Sequence, residues 1–335
     1  MHEAIGKREL IVLDGLGECL RGTYHPVADS SSELPASRGG RDRLGVLFVN
    51  SLSLPRAASG DSAVHWADSI AELGYPAFRI DLPGLGDSAG EASTDLLDLV
   101  NAGAFASVAS VAVRQLVDRF GLTGMVIFGH CAGSVSALYA SVASPECKGL
   151  ILLDTYFHLP QASRPRVRQE LSDWARRSRI GRFLSNGYDR ARNLRLRLRG
   201  RALPGNANTQ LLACWKQVAT AGLPILLLQA PGIKAQGSKP RVGEFDYIDH
   251  VMKLAGRKNR VSVEFVESAD HSFANREGRL AVQSHIAAWL VSHFPLTDFS
   301  LSAKGTASFH ANEGQSGSRK SQMAPADGCC ALEGR

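Results

Sequence analysis

The chain has 335 residues, 44% hydrophobic and 21% charged, which allows a sizeable core and excludes disorder of the whole chain. Its length suits one large α/β domain with an insertion. No run approaches the roughly 18 apolar residues of a membrane span, and the charged start MHEAIGKREL does not read as a signal peptide, so a cytoplasmic protein away from membranes is expected. The six cysteines (Cys19, Cys131, Cys147, Cys214, Cys329 and Cys330) form no CxxC pair and no zinc spacing. They read as reduced thiols, with no metal or cofactor implied.

In chain order, RELIVLDG, ECLRGTYHPV and LGVLFVN predict three strands, the last two separated by the polar loop ADSSSELPASRGGRDR. SAVHWADSIAELG predicts a helix, YPAFRID a strand, and LPGLGDSAG a Gly-rich turn. One continuous helix is expected through LLDLVNAGAFASVASVAVRQLVDRFG. Strand TGMVIFG, helix AGSVSALYASVA and strand KGLILLD follow, and PILLLQ and VSVEFV predict two further buried strands around helix FDYIDHVMKLAG. A last helix is expected from Arg276 to Val291. Apolar strands alternating with helices call for a mostly parallel sheet covered on both faces, with the first two strands as an antiparallel edge.

Charge is unevenly spread. Between Ser163 and Arg201, thirteen Arg face only Glu170, Asp173 and Asp189, a net of +10 that leaves the rest of the chain at −4. The stretch is longer than a crossover needs and predicts a helical lid inserted at about 156–222. Such uncompensated charge calls for an anionic partner. No nucleic-acid motif accompanies the arginines, so an acidic protein or a phosphate-bearing substrate is expected instead of nucleic acid. The tail 296–335 is rich in Ser, Gly and Ala and predicts disorder, which leaves 1–295 as the folded domain.

The sharpest chemical signal is Gly129-His130-Cys131-Ala132-Gly133 between a strand and a helix. A nucleophile on such a tight turn needs small residues two before and two after it. The turn sets the sulfur at a helix N-terminus, which favours a thiolate. A base and an orienting acid must follow in the chain. His271, in ESADHSF just after the final strand, is the candidate base; His130 should point into the wall behind the turn, and His250, His285 and His293 lie on helical patterns. Asp154, closing the strand LILLD, is the candidate acid, because a charge ending an apolar strand needs a partner. The alternative acid is Asp246, since the segment after PILLLQ has no carboxylate before Glu244 and Asp246. Asp81 and Asp87 read as fixing their own loop. The oxyanion donors should be the backbone N–H groups of Ala132 and of Leu52, with Ser51 the alternative for the second.

Taken together, FVNSLSLPRA, RIDLPGLGDS, GHCAGS and ADHSF resemble, in order and spacing, the α/β-hydrolase fold over about Leu10 to Pro295. GHCAGS followed by LILLDTYFHLP more narrowly resembles the thioesterase domains of polyketide and nonribosomal-peptide assembly lines. That resemblance implies an acid at Asp154 and a helical lid after it. Cys131 departs from the Ser that most of them carry. The implied activity is cysteine-dependent acyl transfer, in natural-product biosynthesis, from a carrier-protein or coenzyme-A thioester. Arg192, Arg195 and Arg199 of the lid would meet the carrier or its phosphate. Two alternatives stand beside it: a simple esterase or thioesterase hydrolysing a small free substrate, and a catalytically inactive fold used for binding.

Overall fold

The computed structural model describes residues 8–27, 43–50, 52, 54–159, 203–231, 245–256 and 259–296. The chain divides into two units, Met1–Thr297 and Asp298–Arg335, and every described residue belongs to the first. The expected lid arginines, including Arg192, Arg195 and Arg199, and the tail from Thr297 lie outside the described residues.

Eight strands form one sheet: β1 (Glu9–Asp14), β2 (Cys19–His25), β3 (Leu44–Val49), β4 (Ala77–Ile80), β5 (Gly124–His130), β6 (Cys147–Leu153), β7 (Ile225–Gln229) and β8 (Val261–Phe265). Their order is β1-β2-β4-β3-β5-β6-β7-β8. The edge pairs β1–β2 and β2–β4 are antiparallel, and every later pair is parallel. Strands β3, β4 and β5 are buried throughout, as central parallel strands covered on both faces must be.

Alternation along the strands divides the core in two. Leu47, Val49, Phe78, Ile80 and Ile127 face one layer, made by α2 (Leu96–Asn101), α3 (Ala106–Phe120), α4 (Ala132–Ala143) and α5 (Thr209–Thr220). Val46, Phe48, Val126 and Phe128 face the other, made by α1 (Ser62–Glu72) and α7 (Arg276–His293). Helix α6 (Tyr247–Ala255) packs beside α5, where Trp215 Nε1–H donates to the Val251 carbonyl at 2.8 Å. Among the described residues, no helix is long and apolar enough to cross a membrane.

Three details differ from the sequence expectation or fall inside it. The single helix expected from Leu96 is two, α2 and α3, broken at Gly103 with φ +76°. A Cβ there would sit 3.0 Å from the Tyr139 ring, so the break lets α4 pack close. Strand β8 is an edge of the sheet among the described residues and only half-buried, with Phe265 exposed. Inside the span expected for the lid, α5 packs into the core through Leu211 and Trp215, and Asn208 caps it by accepting the Leu211 N–H at 3.0 Å.

Candidate active site

The C-terminal ends of β5 and β6 and the turn after β8 converge on one point. Cys131 stands between β5 and α4 with φ +53° and ψ −116°, backbone angles that a non-glycine residue adopts only under strain. Its N–H donates to the Leu153 carbonyl at 2.8 Å, and its carbonyl accepts the Ser134 N–H at 3.0 Å. The buried Ser134 hydroxyl lies between the carbonyls of Gly129 (3.0 Å) and Leu153 (2.9 Å), tying the turn to both strands.

The flanking glycines are steric requirements. A Cβ on Gly129 would run into the Gly133 carbonyl, and one on Gly133 would meet the Val49 and Asn50 carbonyls at 2.8 and 3.0 Å. With both absent, the chain reverses tightly enough to lift the sulfur above the sheet.

Asp154 follows β6 with φ +48° and its N–H bonded to the Leu228 carbonyl at 2.8 Å. The carboxylate reaches two ways. Oδ1 accepts the Ala230 N–H at 3.0 Å, and Oδ2 accepts His271 Nδ1–H at 2.6 Å. The other partner of His271 is the Cys131 side chain. The hydrogen bond to Asp154 first, and that to Cys131 next, raise His271 to about 10, so the ring is an imidazolium at neutral pH. The predicted residues Cys131, His271 and Asp154 are thus brought together in the order sulfur, imidazole, carboxylate.

His130 takes the place expected of it behind the turn. It is buried, pushed below its ordinary pKa by that burial, and its Nε2–H donates to the His271 carbonyl at 2.7 Å. Phe273, fully buried with φ +50°, meets the His130 ring edge-on. The residue beside the candidate nucleophile therefore holds the loop that carries the candidate base.

Asp246 does other work. It caps α6, its carboxylate accepting the Asp249 N–H at 2.9 Å. His250 lies on α6 against Phe245, and His285 and His293 lie on α7.

Ala132 opens α4, so its N–H has no acceptor inside the helix and sits next to the sulfur-bearing residue. Leu52 follows β3 with φ +39°; Ser51 lies outside the described residues. Asp81 is fully buried and gathers the N–H groups of Arg56 (2.7 Å) and Asp87 (3.1 Å), as its reading as a loop-fixing residue requires.

Two features were missed from the sequence. Tyr156, two residues beyond Asp154, is raised to about 12 by burial and by the nearby Cys131. Its hydroxyl and the Asn101 Oδ1 are both buried and complete no hydrogen bond, although the Asn101 side chain lies alongside. The Asp-Thr-Tyr sequence after an apolar strand was the available signal. The second is backbone strain. Of the seven non-glycine residues with positive φ among those described, Leu52, Cys131, Asp154 and Phe273 belong to the four connections that follow β3, β5, β6 and β8. Strain of this kind concentrates where a site imposes it.

A family model described as alpha/beta hydrolase fold matches residues 47–260. No curated protein matches the chain in sequence. Among solved structures, an esterase of Pyrococcus furiosus aligns with a TM-score of 0.55 at 10% identity, over 86% of this chain and 92% of that one. The alpha/beta hydrolase GrgF from Penicillium sp. sh18 aligns at 0.54 and 16% identity, over 86% and 99%. A structure of Est1E from Butyrivibrio proteoclasticus with bound ferulic acid aligns at 0.51 and 12% identity, over 84% and 98%. At these identities the likeness is one of fold.

Proposed function

The chain belongs to the alpha/beta hydrolase fold family, and from that premise we propose that it is a cysteine-dependent acyl-transfer enzyme acting on thioester-bound acyl chains. The observation that carries the proposal is His271, held between Asp154 at 2.6 Å and the Cys131 side chain. A sulfur facing an imidazolium that a carboxylate orients is set up for nucleophilic attack on a carbonyl carbon.

In the first step the Cys131 sulfur adds to the thioester carbonyl. The developing oxyanion takes hydrogen bonds from the N–H groups of Ala132 and Leu52. Collapse breaks the original C–S bond; the leaving thiolate takes the proton of His271 Nε2, and the acyl group stays on Cys131 as a new thioester. In the second step an acceptor gives its proton to Nε2 as it attacks, and Cys131 is released. Asp154 keeps Nδ1 protonated throughout, so Nε2 is always the atom that exchanges the proton.

Cysteine shapes the outcome. Exchange of one thioester for another is nearly balanced, and the acyl-cysteine stays more reactive toward amines and thiols than a serine ester would be. The site is therefore suited to passing an acyl group to an amine, hydroxyl or thiol, or to cyclising it, as in natural-product assembly. The +10 segment supports a carrier-borne substrate, since acyl carriers are acidic and tethered through a phosphate; Arg192, Arg195 and Arg199 are proposed to meet them.

The test is partition of the acyl-enzyme. With a hexanoyl N-acetylcysteamine thioester and increasing amine or thiol, the transfer product should rise at the expense of hexanoic acid. Hexanoic acid as sole product at every acceptor concentration would make the protein a simple hydrolase.

A further inference from the structure

We propose that Arg56 is a positioning residue for the oxyanion site, acting through the turn that carries the Leu52 N–H. The inference rests on the acyl-transfer reading above and extends it to a residue that touches neither sulfur nor substrate.

Between β3 and Ser59 the described residues form no helix or strand, yet the acyl-transfer reading requires this turn to hold one N–H at a fixed place above Cys131. Asn50 and Arg56 bracket it. The Asn50 side chain spans the turn, Nδ2 donating to the Leu54 carbonyl at 3.0 Å and Oδ1 accepting the Leu82 N–H at 3.2 Å. Arg56 closes the far end with every part of the residue. Its N–H donates to Asp81 Oδ1 at 2.7 Å. Its Nη1 reaches Asp81 Oδ2 at 2.5 Å and Asp87 Oδ2 at 2.6 Å, and its Nε donates to Thr23 Oγ1 at 3.0 Å. Its carbonyl accepts from Arg79 Nη1 at 2.9 Å.

These anchors are rigid in their turn. Asp81 is fully buried at the end of β4, and Thr23 lies in β2. Arg79 is buried in β4 and pulled down to about 10 by burial first and by Arg56 next, so it keeps its charge at neutral pH. Its Nε donates to His25 Nε2 at 2.8 Å, and His25 Nδ1–H donates to Asp68 at 2.7 Å. Asp68 also accepts from Arg8 at 3.0 and 2.5 Å. A chain of hydrogen bonds thus runs from Arg8 through Asp68 on α1, His25 and Arg79 to the Arg56 carbonyl.

An apolar contact or a single capping bond would terminate an ordinary turn. Five hydrogen bonds made by one residue, one each to Thr23 in β2 and Arg79 in β4 and three to Asp81 and Asp87 in the segment that follows β4, fix both the position and the tilt of the turn. A donor that must meet a transient negative charge needs that constraint, because a shift of about 1 Å at such a group is felt on the order of 100-fold in rate. The gatherings at Asp81 and at Arg56 are then one device.

The experiment compares two reactions at the same sulfur. Acylation of Cys131 by the hexanoyl N-acetylcysteamine thioester builds an oxyanion, whereas alkylation by iodoacetamide displaces iodide at a saturated carbon and builds none. Both are followed by intact mass, well below each variant's melting temperature. For Arg56→Gln, single-turnover acylation should fall by about 10- to 100-fold, within the range for loss or misplacement of one oxyanion donor. The thioester concentration for half-maximal rate and the iodoacetamide rate should each change by less than about twofold. Arg56→Lys, which keeps a charge on Asp81 but loses the bond to Thr23, should recover part of the acylation rate; if Arg56→Gln does not fold, the Lys variant carries the same comparison. Acylation unchanged in the variants overturns the proposal, and so does a parallel loss of acylation and alkylation, which would make Arg56 a prop for the whole site. A wild-type chain that is alkylated at Cys131 but never acylated overturns the acyl-transfer reading instead.

Discussion

Replacing Asp154 with Asn changes one atom and should disable the site. The new Oδ1 can still accept the Ala230 N–H, now 3.0 Å from the carboxylate. Its Nδ2 then faces His271 Nδ1 where Oδ2 sits at 2.6 Å. An amide donor there makes Nδ1 an acceptor, so the neutral ring carries its proton on Nε2, toward the sulfur. In that tautomer His271 cannot take a proton from an acceptor. The comparable change in a serine triad costs about 10⁴-fold, and we expect about 10²- to 10⁴-fold in kcat/KM here, since a thiol is the better intrinsic nucleophile. Stability should respond far less. His271 is raised from 6.5 to about 10, and each pKa unit corresponds to about 1.4 kcal/mol. Its side chain, however, is 62% exposed and water screens the pair, so on the order of 1 kcal/mol remains for Asp154. Because the folded-state pKa is raised, that contribution is complete below pH 6.5 and vanishes as pH climbs through about 10. Thioester turnover and thermal melts from about pH 6 to about pH 11 check both parts. Turnover within about threefold of wild type for Asp154→Asn, with Asp246→Asn crippling, would refute the assignment.

Three further outcomes are expected. Gly133→Ala places a Cβ 2.8 Å from the Val49 carbonyl and should cost about 1–3 kcal/mol, read as a lower urea midpoint; an unchanged midpoint would mean the turn is not tightly packed. Tyr156→Phe removes a buried hydroxyl without a completed hydrogen bond, so its urea midpoint should hold or rise, by up to about 1–3 kcal/mol, and a clear fall would show that the hydroxyl has a protein partner. Reversing Arg192, Arg195 and Arg199 to Glu should raise KM for carrier-bound acyl groups, more at low salt than at high, and barely alter turnover of the N-acetylcysteamine thioester; equal losses on both substrates would count against docking.

The parts of the site that were legible in the sequence are those written in local chemistry. Gly129 and Gly133 announce a turn that tolerates no Cβ, and Asp154 and His271 stand where apolar strands run out. Each is a short-range signal. What escaped was set by long-range packing. The pattern from Leu96 to Phe120 is continuous as a helix, and only the Tyr139 ring, carried by another helix, explains the break at Gly103. Strand β8 was expected to be buried although Ser262 and Glu264 interrupt its apolar residues, and no strand lies beyond it among those described. Arg56 was invisible because its partners Thr23, Asp81 and Asp87 lie 25 to 33 residues away. His130 was expected to face inward, but its grip on the His271 carbonyl joins positions 141 residues apart.

The central claim is that an acyl group rests on Cys131 during turnover. Rapid quenching with the hexanoyl N-acetylcysteamine thioester, followed by intact mass and peptide mapping, tests it most directly. The account predicts one hexanoyl adduct per chain, on the peptide containing Cys131, that forms and decays at rates consistent with turnover and is lost in Cys131→Ala. Full turnover by Cys131→Ala, or an adduct confined to another cysteine, would contradict it.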